Sequence, residues 1–205
     1  MLAIHARYRG REVKRSSIVR RSAEALSSLP GVAGFENVGV EDIRSRVDTA
    51  EALTNVVMAL LSDGDWAIGI GVDTPSRAEA RATAAVGTRA GSVRVRASAP
   101  GTGGEDIQAA FTLLAHVLAK RTIEGREATS LVRSGMNQNE AAEQLGISKQ
   151  AMSQRLGAAG WAAEAAGWKL AVHLIDFADR VTRDGVGGVT GLYGPGGGRG
   201  GSGGR

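Results

Sequence analysis

Asn137-Gln138-Asn139-Glu140-Ala141-Ala142-Glu143-Gln144-Leu145-Gly146-Ile147-Ser148-Lys149-Gln150-Ala151-Met152-Ser153-Gln154-Arg155-Leu156-Gly157 has the spacing of two short helices crossing at a glycine turn. Asn137 is a good N-cap, and Glu140 is placed to reach back to its backbone N–H in a capping box. The first helix brings Ala141, Ala142 and Leu145 to its apolar side, with Ala142 small where the second helix must cross. Gly146 suits a positive φ at the helix end, and Ile147 closes the core beneath the turn. Ser148 then caps a second helix whose Ala151, Met152 and Leu156 face inward at helical spacing. The pattern is that of a helix-turn-helix; an ordinary helical hairpin shares the turn without needing every cap and core residue at these offsets. Gln bonds adenine bidentately, Ser bonds either partner, and Lys and Arg reach guanine or phosphate. The expected partner is double-stranded DNA, contacted by Lys149, Gln150, Ser153 and Gln154 in the major groove and by Arg155 on phosphate, with Ser148 capping the reading helix.

Toward the N-terminus the chain alternates strand-like and helix-like segments. Leu2 to Tyr8 alternates apolar and polar, and Arg15 to Leu29 puts Ile18, Ala23, Leu26 and Leu29 on one helix face until Pro30-Gly31 stops it. Val32 to Val38 reads as a second strand, Glu41 to Val47 as a third, and Thr49 to Leu61 as a helix, with a turn at Asp63-Gly64-Asp65. Trp66 to Val72 reads as a buried strand whose Gly69 and Gly71 predict close approach of another backbone. A helix from Ser76 to Val86 and a strand from Ser92 to Ala97 follow. Strand, helix, strand, strand, helix, strand is the ferredoxin-like order, here with a helix and a strand appended. The expected class is therefore α+β: a ferredoxin-like domain over residues 1–99, a glycine-rich linker at 100–104, an all-α helix-turn-helix domain over 105–184, and a Gly/Arg-rich tail over 185–205.

The helical half carries two seams. Ile107, Phe111, Leu114 and Leu118 share one helix face; Leu170, Leu174, Phe177 and Val181 repeat the spacing on a final helix from Ala162 to about Val181, and a short helix from Thr122 to Arg133 lies between. The seams fit packing on each other within one chain or pairing with a second copy. The paired half-sites that such proteins read favour a homodimer or higher homo-oligomer. The glycine-rich tail cannot build a core and is expected to be disordered; Arg199 and Arg205 suit weak nucleic-acid contact as well as a plain flexible end.

With 205 residues the chain can hold one large or two small domains. Twenty-five Lys and Arg against 21 Asp and Glu leave a net charge of +4, compatible with a nucleic-acid partner but modest for this length. The absence of cysteine excludes disulfides and thiolate metal sites and fits a reducing cytosol. His5, His116 and His173 stand far apart without ligand spacing, so no metal and no cofactor are expected. The longest apolar run, Val56 to Leu61, is too short for a bilayer and the N-terminus lacks a signal segment, so the expected location is the cytoplasm, at the nucleoid.

Catalytic signals are thin. Glu36, Glu41, Asp42 and Asp73 near strand ends are the carboxylates available for a magnesium ion, though solvated carboxylates are commonplace there. Gly69-Ile70-Gly71 lacks the rest of a dinucleotide fingerprint. Gly101 to Gly104 lacks the P-loop Lys and opens into Glu105 and Asp106, which repel phosphate. The basic cluster Arg7, Arg9, Arg11, Lys14, Arg15, Arg20 and Arg21 fits a second phosphate contact and a solvated helix face equally well.

Gln138 to Gly157, then Ala158-Ala159-Gly160-Trp161, and upstream Trp66-Ala67-Ile68-Gly69-Ile70-Gly71-Val72, resemble the SatD-like bacterial proteins. The resemblance implies a nucleotide-cyclase-like N-terminal domain ahead of a C-terminal helix-turn-helix. In that family the first strand ends in an aspartate and a later hairpin carries Gly-Asp-Glu. Here His5-Ala6-Arg7-Tyr8-Arg9-Gly10 and Gly39-Val40-Glu41 stand at those places, so the resemblance implies fold without catalysis, and no enzyme is expected. The leading expectation is a DNA-binding transcriptional regulator or nucleoid-associated factor whose N-terminal domain assembles or senses. Its rivals are a nucleotide-binding enzyme or sensor whose helix-turn-helix is only structural, and a DNA coater.

Overall fold

The computed structural model describes residues 1–98 and 103–187. In chain order they form β1 (Leu2–Tyr8), α1 (Arg15–Ser27), β2 (Glu36–Asn37), β3 (Asp42–Val47), α2 (Ala50–Asp63), β4 (Trp66–Val72), α3 (Ala78–Ala85), β5 (Val93–Ala97), α4 (Gly104–Ala119), α5 (Ile123–Arg133), α6 (Gln138–Gln144), α7 (Lys149–Ala158) and α8 (Trp161–Gly187). The class is α+β: a five-stranded mixed sheet of order β2-β3-β1-β4-β5 with a helical C-terminal region. β1 lies antiparallel between β3 and β4, β2 is antiparallel to β3, and β5 runs parallel to β4. No helix among the described residues is long and apolar enough to cross a membrane.

Period-two alternation decides what each sheet face meets. Leu2, Ile4, Ala6 and Tyr8 of β1 and Trp66, Ile68, Ile70 and Val72 of β4 enter one apolar core with residues of α1, α2, α4 and α8. Tyr8 and Trp66 meet edge to face with ring centroids 5.3 Å apart. On the other face Ala3 packs with Ala78 and Ala82 of α3. A Cβ on Gly71 would collide with the Ala78 carbonyl oxygen, and one on Gly69 with the carbonyl oxygen of Ala82. Two residues without side chains thus let α3 lie directly on β4, the close approach their spacing predicts.

Several boundaries differ from the sequence expectation. The strand expected over Val32 to Val38 shrinks to Glu36–Asn37, with Val32 keeping one isolated bridge to Val47. Gly31 at φ 76° and Gly34 at φ 101° interrupt the extended backbone that a longer strand needs. The expected boundary at residues 100–104 does not divide two cores: Ile107, Phe111, Leu114 and Leu118 of α4, with Ala171, Ile175 and Ala178 of α8, are buried under the sheet. Five strands at about 4.8 Å spacing are wider than two helices of about 10 Å each, so α1 and α2 leave apolar surface for α4 and α8 to cover. Residues 100–102 of the expected linker, and 188–205 of the expected tail, lie outside the described residues. Gly185 to Gly187 continue α8.

The α8 seam turns out differently from the α4 seam. Its inward line is Ala171, Ile175 and Ala178, while Leu170, Phe177 and Val181 remain 48%, 50% and 37% exposed. Small residues set this rotation. A Cβ on Gly167 would come within 2.7 Å of a Leu114 methyl, so α8 approaches α4 closely there, leaving Leu170, Phe177 and Val181 outside while Leu174 packs half-buried against the core.

Candidate nucleic-acid interface

Residues between α4 and α8 build a second, smaller core from Ala128 of α5, Ala141 and Ala142 of α6, and Met152 and Leu156 of α7. Leu145, Ile147 and Trp161 pack half-buried around it. Local chemistry sets the helix ends. Asn137 Oδ1 accepts from the Asn139 and Glu140 N–H groups at 2.9 and 3.1 Å, and the Asn137 N–H donates to Glu140 Oε2 at 2.9 Å, completing the capping box. Gly146 takes φ 63°, a left-handed turn that lets the Ile147 N–H return to the Ala142 carbonyl at 3.0 Å. Ser148 Oγ accepts the Ala151 N–H at 3.1 Å, and Thr122 caps α5 in the same way. A Cβ on Gly125 would lie 3.1 Å from Ala159 Cβ, so α5 and the end of α7 meet closely.

This packing puts the expected contact residues on one side of α7. Ser148, Lys149, Gln150, Ser153 and Gln154 are exposed, opposite buried Met152 and Leu156. Arg155 is half-buried. The Glu124 carboxyl is held below its usual range by its own backbone N–H, then by the Thr122 hydroxyl and by the charge of Arg155. Arg155 therefore stands apart from the other five, with a carboxylate already near it.

An ion trio, buried at Arg121 and Glu164 and exposed at Arg133, anchors the unit to the rest of the chain. Glu164, at the start of α8, pairs with Arg121 before α5 and with Arg133 at the end of α5, the latter at 2.5 Å. Arg121 Nε also donates to the Ala159 carbonyl at 2.8 Å. One carboxylate thus ties the entry and exit of the unit together. Sequence reasoning passed over this trio because Glu164 lies more than thirty residues from either arginine, with no motif spacing.

Charge around the unit is balanced. Over residues 122–160, Arg126, Arg133, Lys149 and Arg155 are matched by Glu124, Glu127, Glu140 and Glu143. The unit alone therefore carries no net attraction for phosphate. Part of the N-terminal basic cluster is already engaged: Arg7 pairs with Asp42, and Arg9 and Arg15 both pair with Glu41. Arg11, Lys14, Arg20 and Arg21 remain exposed. The alternation Val93-Arg94-Val95-Arg96 turns Arg94 and Arg96 to the sheet face that carries α3, a second basic strip legible in the strand pattern.

The strand-end carboxylates face arginines. Glu36 pairs with Arg44, Asp73 with Arg81, and Asp42 with His5 and Arg7; among the described residues no group of three or more His, Asp or Glu is placed to hold a metal. Burial raises the Asp42 carboxyl, but hydrogen bonds from His5 and Arg7 outweigh it and hold the group below its ordinary range. His5 is 3% exposed, with Nε2 2.8 Å from Asp42 and Nδ1 3.0 Å from the Thr83 hydroxyl. Burial lowers its pKa despite the opposing pull of Asp42. The neutral ring fits this setting, with Nε2–H donating to Asp42 and Nδ1 accepting from Thr83. A hydroxyl, an imidazole and a carboxylate in line resemble a nucleophile array. Thr83 sits mid-helix, however, where the neighbouring N–H groups are spent in the helix and offer no oxyanion donors.

Comparison of the chain with protein-family models, with curated proteins and with solved structures found no match.

Proposed function

We propose that the chain is a DNA-binding regulator or nucleoid-associated factor that reads the major groove with α7. The carrying observation is that Ser148, Lys149, Gln150, Ser153 and Gln154 stand exposed along one side of a helix whose other side is locked into a core. The test is a fluorescence titration against genomic duplexes at two salt concentrations, for the natural chain and for a Gln150→Ala/Gln154→Ala variant. Each lost base contact weakens binding by about 1–3 kcal/mol and relaxes sequence preference. Binding that both substitutions leave untouched removes α7 from the role of reader.

The N-terminal part fits a ferredoxin-like, SatD-like domain that assembles or senses without catalysis. The order β2-β3-β1-β4 with β1 antiparallel to both neighbours supports that reading, and so do strand-end carboxylates matched to arginines. Assembly is through α4 and α8. Leu113 of α4 is 67% exposed, beside the exposed Leu170, Phe177 and Val181 of α8. The two helices run antiparallel, with Val117 against Gly160, Leu114 against Gly167, and Ser98, just before α4, bonded to Thr182. A two-fold axis through the strip sets apolar line on apolar line, as in an isologous homodimer. Phe177→Asp, at a half-exposed position, is expected to leave a folded monomer in sedimentation equilibrium; an unchanged mass refutes this interface.

A further inference from the structure

A cleft of about 670 Å³ opens between α2 and the helices that carry the small core, within the range of small-molecule sites. Its walls are Leu29, Met58, Val132, Trp161 and Trp168, with Ala59 and Ala165 leaving room between them. The indole N–H of Trp168 donates to Asn55 Oδ1 at 2.9 Å, one link between the two walls; the Arg126 guanidinium on the Ser62 carbonyl at 2.8 Å is another. A smaller recess of about 200 Å³ adjoins the cleft through the shared residues Ser62 and Arg133. It is lined by Arg121, Arg126 and Arg133 and by the hydroxyls of Thr129 and Ser130.

The charge in this double cavity is one-sided. Glu164 is matched by two guanidiniums, leaving its trio at +1, and Arg126 in the recess and Lys169 at the cleft wall add cations with no ion-pair partner among the described residues. Flat apolar walls with two indoles suit a ring system rather than a sugar, and the arginine recess suits its acidic group. We propose that this double cavity binds an organic anion with an aromatic body and a single carboxylate- or sulfonate-like head, the ring in the cleft and the head toward Arg133. Because one wall is α2 of the sheet layer and the other is α5 and α8, a bound molecule clamps the α5–α7 unit against the sheet layer. That consequence for DNA affinity rests on the DNA-binding reading above; the binding site itself does not.

The probe is 8-anilinonaphthalene-1-sulfonate, with uncharged N-phenyl-1-naphthylamine as its comparator, titrated into the full chain without DNA. Saturable one-site enhancement, with energy transfer from tryptophan, is expected for the sulfonate. Ala59→Trp, at an exposed position of α2, fills the cleft without touching the core and is expected to weaken both probes at least tenfold. Lys169→Glu is expected to weaken the sulfonate severalfold and leave the neutral probe unchanged. Leu170→Gln, on the apolar strip of α8, is expected to alter neither. Sulfonate binding indifferent to Ala59→Trp, or lost with Leu170→Gln, overturns the site. A second titration, of duplex with and without saturating sulfonate, reads the clamp. If duplex binds equally in both, the regulatory consequence fails while the site stands; if no duplex binds at all, it is the DNA-binding reading that fails.

Discussion

Trp66, Tyr8 and Phe111 fill the core beneath the sheet, whereas the core beneath α7 is assembled around Ala128, Ala141 and Ala142, with Met152 and Leu156 as its larger fully buried members and Leu145, Ile147 and Trp161 only half-buried around them. Burying a large apolar side chain contributes about 1.5–3 kcal/mol, and alanine contributes far less. The sheet layer is therefore held by apolar volume. The α5–α7 unit leans on its caps and on the Arg121–Glu164–Arg133 trio, so it opens at lower free energy than the sheet layer.

The most disruptive way to break this comparison is Phe111→Ala. If α4 belongs to the sheet layer, removing this fully buried ring costs about 3–5 kcal/mol and lowers the urea midpoint reported by buried Trp66. Loss confined to α5–α7 amides in hydrogen exchange would instead return α4 to the helical half. Glu164→Gln comes next, at about 3 kcal/mol, because the buried Arg121 guanidinium loses the carboxylate that compensates it, while the exposed Arg133 adds little. Its effect is expected in exchange of α5–α7 amides while β1 and β4 keep their protection; uniform loss would mean the two regions unfold as one.

The smallest effect concerns pH and sharpens the contrast from the other side. The folded pKa of His5 lies below 6.5 because burial disfavours its charged form. The unfolded chain then takes up a proton near about pH 6.5 that the folded chain refuses until lower pH, so stability falls as pH drops from about 6.5 toward the folded value. His5→Gln is expected to flatten this slope in urea midpoints between pH 7 and 5. A slope unchanged by the substitution would assign it to other groups. The carboxyls of Asp42, Asp73 and Asp179, all held below their ordinary range, add a second loss at more acidic pH, below about 3.9.

How much was legible follows from the range of each signal. β1, β4 and the caps at Asn137 and Ser148 stand where the sequence reading puts them, because alternation and capping act within a few residues. The glycine pair of β4 announced a close neighbour without identifying it as α3. The strand after Pro30 was overread, since the apolar run masked two glycines at positive φ. Among the expected contact residues, five are exposed and Arg155 is half-buried, its charge acting on Glu124, 31 residues away, which no local pattern reveals.

The α8 heptad draws the same line most sharply. Its sequence alone determined that a long amphipathic helix follows the α5–α7 unit and that Leu170, Leu174, Phe177 and Val181 share a stripe, because 3.6 residues per turn is a property of the backbone. It did not determine which stripe is buried. That was decided in the tertiary structure, where Gly167 lets α8 settle against Leu114 and the sheet has room only for the alanine line. The same holds for the double cavity and the ion trio. Helix periodicity and capping are local energies, whereas the rotation of a helix, the space left between two layers and the partners of a buried charge depend on contacts made by residues distant in the chain.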